Sequence, residues 1–148
     1  MPVSEVGEED LADLLPLMAD YCAFYEASPP PDQLAALSRA LLDDPETEGL
    51  QLLARDEQSV AVGFATLYWT WSTTRASRLA VMNDLFVSPE ARGAGAGRAL
   101  IDACAERARA RGCAALEWQT APDNHTAQRV YDATGAERST WITYELRL

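Results

Sequence analysis

The sequence has no lysine and one histidine, His125. Its twelve cations are therefore all arginines, set against twenty-three carboxylates for a net charge of −11. A chain this acidic is a poor partner for nucleic acid or an anionic membrane, whose phosphates it would repel, and suits a cationic small molecule better. No apolar run is long enough to span a bilayer, and the opening Met1–Asp10 is too acidic for a secretory leader, so a cytoplasmic protein is expected. Cys22, Cys104 and Cys113 are odd in number. Their spacings match neither a zinc site nor a disulfide framework, and they read as reduced, mostly buried small hydrophobes with no metal expected.

What remains fits one domain, residues 1–148, with apolar content for a single core. Val3–Val6 reads as a short edge strand. Leu11, Leu14, Leu15, Met18, Tyr21, Cys22 and Tyr25 then form a helical stripe, with Pro16 inside it predicting a kink or a late start. Asp32 is the expected N-cap of a second helix carrying Leu34, Leu37, Leu41 and Leu42 on one face. Leu50–Ala54 and Val60–Trp71 flank a turn and predict a hairpin. In it Tyr68, Trp69 and Trp71 serve either as packing or as a pocket wall. A strand over Arg78–Val87, a long helix ending at Gly112, a buried strand over Cys113–Gln119, a helix over Asn124–Thr134 and a last strand over Thr140–Leu148 complete a mixed α/β sheet.

The chemistry concentrates in Val87-Ser-Pro-Glu-Ala-Arg92-Gly93-Ala94-Gly95-Ala96-Gly97-Arg98. Glycines at 93, 95 and 97 let the backbone take positive φ, and the first-turn N–H groups of the following helix favour an anion such as a phosphate. The dinucleotide fingerprint fails because Arg98 stands where its third glycine belongs. The nucleoside-triphosphate loop fails for want of its lysine. The alternatives left are an anion cradle of another kind and a glycine-softened turn with no ligand.

Arg92-x-x-Gly95-x-Gly97 resembles the acetyl-CoA loop of the GCN5-related N-acetyltransferases. Asn124-x-x-Ala127-x-x-x-Tyr131-x-x-x-Gly135 is similar to that family's second motif, with Val130 and Ala136 in place of its usual phenylalanines. The resemblance covers residues 59–148 well and the first half only by helical pattern. It implies an α/β (α+β) fold with a mixed, mostly antiparallel sheet of about six to seven strands, one pair splayed, flanked by about four helices. It further implies acetyl-CoA as co-substrate, with Leu85, Phe86 and Val87 offering main-chain groups to the pantetheine arm and thioester, and Arg92, Gly93, Ala94, Gly95, Ala96, Gly97 and Arg98 holding the pyrophosphate. Asn124 and Ala127 would lie on the pantetheine side, and Tyr131 near the sulfur as general acid. A tyrosine of ordinary pKa about 10 can give a departing thiolate its proton while staying neutral at pH 7; the alternative for Tyr131 is a packed helix aromatic.

The segment Asn83-Asp84-Leu85-Phe86-Val87 looks most like the diamine acetyltransferase branch, with Asn83 replacing the first of its acids. Strand alternation puts Asp84 on a face with Met82 and Phe86, a costly place for a charge unless it is paired or lines a wet cleft. Asp84 is thus a candidate for holding a substrate ammonium or relaying a proton, or else a hydrogen-bonded structural aspartate. Tyr25 and Glu26 could reach the same cleft, though glutamates in such positions are commonly just solvated. Glu117 is an alternative base, and His125 reads as a surface residue. The expected activity is acetyl transfer to a primary amine of a small cationic molecule, a polyamine or lysine-like amino acid. The alternatives are a protein N-terminus or lysine as acceptor, or a non-catalytic acyl-CoA-binding module. A homodimer paired through the apolar last strand is also expected.

Overall fold

The computed structural model describes residues 1–148. Five strands form one sheet in the order β1 (Val3–Glu5), β2 (Gly49–Arg55), β3 (Ala61–Ser72), β4 (Ser77–Val87) and β5 (Leu116–Glu117). The first four are antiparallel neighbours, and β5 joins β4 in parallel. Helices α1 (Leu11–Phe24) and α2 (Pro31–Asp43) precede β2, α3 (Ala96–Ala110) connects β4 to β5, and α4 (His125–Asp132) follows. No helix is long and apolar enough to cross a membrane.

Two apolar clusters cover the two faces. Leu100, Ile101, Cys104 and Ala108 of α3 pack on Leu52, Ala65, Leu67, Ala80 and Met82. On the opposite face Leu11, Leu14, Leu17 and Met18 of α1 pack on Leu53, Phe64 and Phe86. The Cys104 thiol, fully buried, has its pKa pushed up to about 12 by loss of solvent.

Several expectations need correction. The sheet has five strands, not six or seven, because the Thr140–Leu148 segment pairs with nothing and β5 is two residues long and partly exposed instead of a buried strand over Cys113–Gln119. Helix α2 begins at Pro31 with Pro30 as N-cap; Asp32 lies in its first turn, and Leu37 is exposed while Ala35 and Ser38 face inward. Pro16 sits within an uninterrupted α1, early enough that the loss of one helical hydrogen bond is tolerated. The register of β3 against β4 shifts between Thr66 and Leu67, so that Thr66 faces Asp84, Leu67 faces Met82 and Asn83 is the extra residue. That bulge resets the alternation. Asp84 keeps Phe86 as a face-mate, but Met82 belongs to the opposite cluster under α3.

Candidate active site

β4 outruns β5. The two pair only at Ala80–Leu116 and Val81–Glu117, and past Val81 β4 continues alone to Val87, in keeping with the splayed pair that the family resemblance implies. Ser88 N donates to Val62 O, which makes Val62 and Ser88 a hydrogen-bonded pair and Gly63 and Val87 a non-hydrogen-bonded one. By the same alternation Val87 and Leu85 turn their N–H and C=O groups away from β3, toward the space that β5 has left. Phe86 points its side chain into the α1 cluster and serves as packing.

The loop after β4 supplies a row of donors. Gly93 and Gly95 take φ of 86° and 88°, the left-handed region, and Gly95 is the N-cap of α3. A Cβ built on either would meet nothing within 4 Å, so backbone conformation and not crowding demands glycine there. None of the main-chain N–H groups of Gly93, Ala94, Gly95, Ala96, Gly97 and Arg98 donates within the chain; the first helical bond is Ala99 N to Gly95 O. Free amides converging on a helix start are the chemistry an anion needs.

The two arginines of this loop behave differently. Arg92 Nε donates to Val87 O at 3.2 Å, and its guanidinium meets no carboxylate, so a cation stands open beside the donor row. Arg98 is committed elsewhere, with Nε on Asp102 Oδ1 at 2.9 Å and Nη1 on Ala133 O at 3.1 Å. Its main-chain N–H remains in the row, while its side chain ties the start of α3 to the end of α4.

Asn124 caps α4, its Oδ1 accepting from Ala127 N at 3.2 Å. The Asn-x-x-Ala spacing therefore has a structural cause, a side-chain oxygen meeting the third amide of the helix, and leaves the Asn124 Nδ2 free. One turn further on, Tyr131 is half-buried against the cluster that also gathers Leu85, Val87 and Trp118, with the Trp118 ring edge-on at 5.5 Å. Burial, and then the nearby Tyr25, raise its pKa above the usual phenol value, so it stays protonated and able to donate.

Across the splay lies an acidic, tyrosine-lined patch. Asp84 faces Thr66 on β3, which faces Gln51 on β2, forming a polar row through the middle of the sheet. Thr66 and Gln51 are buried, and Gln51 Nε2 donates to Thr66 Oγ1 at 3.1 Å. Burial raises the Asp84 pKa, while hydrogen bonds from Thr66, Tyr21 and Asn83 pull the other way; the Asn83 Nδ2 contact is 3.0 Å. Asp84 in turn raises Tyr21, Cys22 and Tyr68, in each case behind burial as the larger cause. Tyr21 packs edge-on against Tyr25 at 5.1 Å, against Phe64 at 5.9 Å and against Phe86 at 6.4 Å.

Of the residues singled out from sequence, the fold brings Tyr25, Asp84, Leu85, Val87, Arg92 to Arg98 and Tyr131 to the two sides of this splay. Glu26 does not join them by any hydrogen bond; it is exposed, with a positive φ of 57° just past α1. Glu117 is exposed on β5, 3.8 Å from Arg75, and His125 is exposed at the start of α4. The aromatic trio divides: Trp69 is core, its Nε1 donating to Pro45 O at 2.8 Å, Trp71 lies outside under Arg78, and Tyr68 borders Asp84. Tyr21, Thr66 and Gln51 were missed. The available signals were Tyr21 four residues before Tyr25 on one helix face, and two polar residues inside otherwise apolar strands.

The chain is similar to known proteins in sequence and in fold. The family model for the Acetyltransferase (GNAT) family matches residues 14–136. The chain is 32% identical over 144 residues to an uncharacterized N-acetyltransferase, YhfO, of Bacillus subtilis (strain 168), covering 97% of this chain and 95% of that one. It is 28% identical over 145 residues to the thialysine N-epsilon-acetyltransferase of Bos taurus, covering 91% and 83%. Among solved structures, AAC(6')-Iy in complex with a bisubstrate analogue, CoA-S-monomethyl-acetylneamine, superposes with a TM-score of 0.86 at 22% identity over 99% of this chain and 98% of that one. With the family model spanning most of the chain, the splayed strands, the open amide row and the capped α4 belong to an N-acetyltransferase of the GNAT family.

Proposed function

We propose that this enzyme moves an acetyl group from acetyl-CoA directly to a primary amine of a small cationic acceptor, a polyamine or lysine-like amino acid. Acetyl-CoA supplies the activated thioester. The residues present fit it: six free amides and an uncommitted Arg92 for the diphosphate, and the outward main-chain groups of Leu85 and Val87 for the pantetheine arm and carbonyl. Tyr131, kept neutral by burial, donates a proton at its hydroxyl to the leaving sulfur. No covalent intermediate with the protein is needed.

One observation carries the acceptor reading: Asp84, a half-buried carboxylate with no cationic partner, opens on a cleft walled by Tyr21, Tyr25 and Tyr68. An ammonium bound there would restore the charge balance that burial disturbs, and the aromatic walls attract cations. Asp84, or a water it holds, then takes the proton that the amine sheds on attack. The thialysine relative is consistent with an amino-acid acceptor carrying a side-chain amine. The chain has no lysine of its own to compete.

The enzyme acts as a homodimer in this reading, supported by the apolar last segment that the monomer leaves exposed. A thiol-release assay with spermidine, lysine analogues, peptides and aminoglycosides tests the acceptor. Turnover of a small diamine or lysine-like compound well above that of peptides is expected. CoA binding with no amine turned over would overturn the catalytic reading.

A further inference from the structure

Three polar side chains stand abreast on the face of the sheet that α1 covers. Gln51 of β2 is directly opposite Thr66 of β3, and Thr66 is directly opposite Asp84 of β4. Around them that face is apolar, with Leu53, Phe64 and Phe86 packed under α1. Gln51 is 4% exposed and Thr66 not at all, and no buried side-chain nitrogen or oxygen lacks a partner. A buried amide and hydroxyl add little net stability over an apolar pair of the same shape, so their placement here calls for another use.

The direction of each hydrogen bond along this row is set from its far end. Met18 of α1 offers only a sulfur, an acceptor, which takes the Ser38 Oγ proton at 3.4 Å and lies 3.6 Å from Gln51 Nε2. The amide therefore turns its NH2 end to the sulfur, and its second N–H goes to Thr66 Oγ1 at 3.1 Å. Thr66 has one hydroxyl proton, and with Gln51 donating to its oxygen that proton is left for Asp84 across the ladder. From the cleft side Asn83 Nδ2 donates to Asp84 Oδ1 at 3.0 Å. The titratable groups near the carboxyl are Tyr21 and Cys22 of α1, with Tyr25 behind Tyr21, and Tyr68 of β3, none of them a cation. Neutral donors are thus what offsets the cost of burying this charge.

Resting on the acceptor reading above, we propose that Thr66, oriented by Gln51, is a positioning residue for the transfer: it holds Asp84 as a carboxylate to meet the ammonium of the incoming amine. Neither Thr66 nor Gln51 touches the substrate. Both act through Asp84. With the hydroxyl donor in place the charged form persists to lower pH, and the amine finds an anion instead of a neutral acid. Because the row starts at Ser38 and Met18, the packing of α1 and α2 on the sheet fixes the donor that Asp84 meets.

The test compares Thr66→Val, Thr66→Ser and the double variant Gln51→Leu with Thr66→Val. Thr66→Val keeps the shape, removes the donor and leaves the Gln51 amide without its acceptor; the double variant removes that orphan as well and should recover the melting temperature. In both, the acid limb of the kcat/KM profile, measured with the amine turned over fastest, is expected about one pH unit more alkaline than in the parent. Thr66→Ser should return the limb to its place. A limb that is restored in the double variant together with stability marks a pair that only supports the fold, and overturns the proposal. A reading that needs no turnover comes from carbon-13 NMR of the aspartate carboxyl carbons in the enzyme alone, the Asp84 signal being identified by its loss in Asp84→Asn. Its titration midpoint should rise by about the same one pH unit in Thr66→Val, and an unchanged midpoint overturns the proposal. A midpoint that moves while the kinetic limb stays put supports the hold of Thr66 on Asp84 and overturns instead the acceptor reading beneath it.

Discussion

Asp84 lies directly opposite Thr66 in the β3–β4 ladder, with Asn83 bulged out beside it. The threonine is buried and already accepts from Gln51, which leaves its hydroxyl proton free for the carboxylate opposite. The bulge places a carboxyl group on the face opposite that of Met82, two positions earlier, which packs in the core under α3.

Asp84→Asn is expected to reduce kcat/KM for a cationic amine by about 100-fold, in the range lost with one acid–base group, while acetyl-CoA affinity changes little. Steady-state kinetics beside calorimetric titration with CoA separates the two effects.

The same substitution has a pH signature in stability. Burial raises the Asp84 pKa in the folded state. The charged form therefore opposes folding above that raised value, and the opposition disappears below the unfolded carboxylate range near about 3.9. The melting temperature of Asp84→Asn relative to the parent should rise as pH goes from 4 to 8, read by thermal denaturation across that range; a flat difference would contradict the assigned burial.

Tyr131→Phe should lower turnover by about 100-fold or more, with acetyl-CoA affinity held within about threefold, because only the donated proton is lost. Single-turnover thiol release measured alongside CoA binding checks it.

Arg92→Ala and Arg98→Ala should differ. Arg92 has no carboxylate partner, and its loss is expected to weaken CoA binding about tenfold, with a reduced dependence on salt. Arg98 is already spent on Asp102 and Ala133, so its alanine variant should bind CoA within about threefold of the parent but lose turnover as α4 loosens.

Gly95→Ala forces a Cβ into the left-handed region at φ 88° with no compensating contact. A stability loss of about 1–2 kcal/mol is expected by chemical denaturation, together with weaker CoA binding as the first turn of α3 shifts.

The loop at Arg92–Arg98, helix α3 and the two motif spacings were legible because each follows from local chemistry: glycine where φ is positive, a 3.6-residue stripe, a cap. Other features depend on what lies across the sheet. Asn83 reads as an ordinary strand residue until β3 shows where the register slips. Tyr21 looks like one more member of an apolar stripe until Asp84 arrives beneath it from sixty-three positions further along the chain. Leu37 points outward because α2 meets β2 through the smaller Ala35 and Ser38. The Thr140–Leu148 alternation reads as a strand, but a strand needs a neighbouring edge to pair with, which periodicity does not reveal and which this segment lacks in the fold.

The Arg98 strut between the head of α3 and the tail of α4 makes those two helices a calliper of fixed gauge. In the reading proposed above its jaws would span the carrier from diphosphate to sulfur, so that a carrier shortened or lengthened by one methylene would find the phosphate berth intact and the phenol out of register. Discrimination by length at the donor end then needs no residue that touches the acyl group.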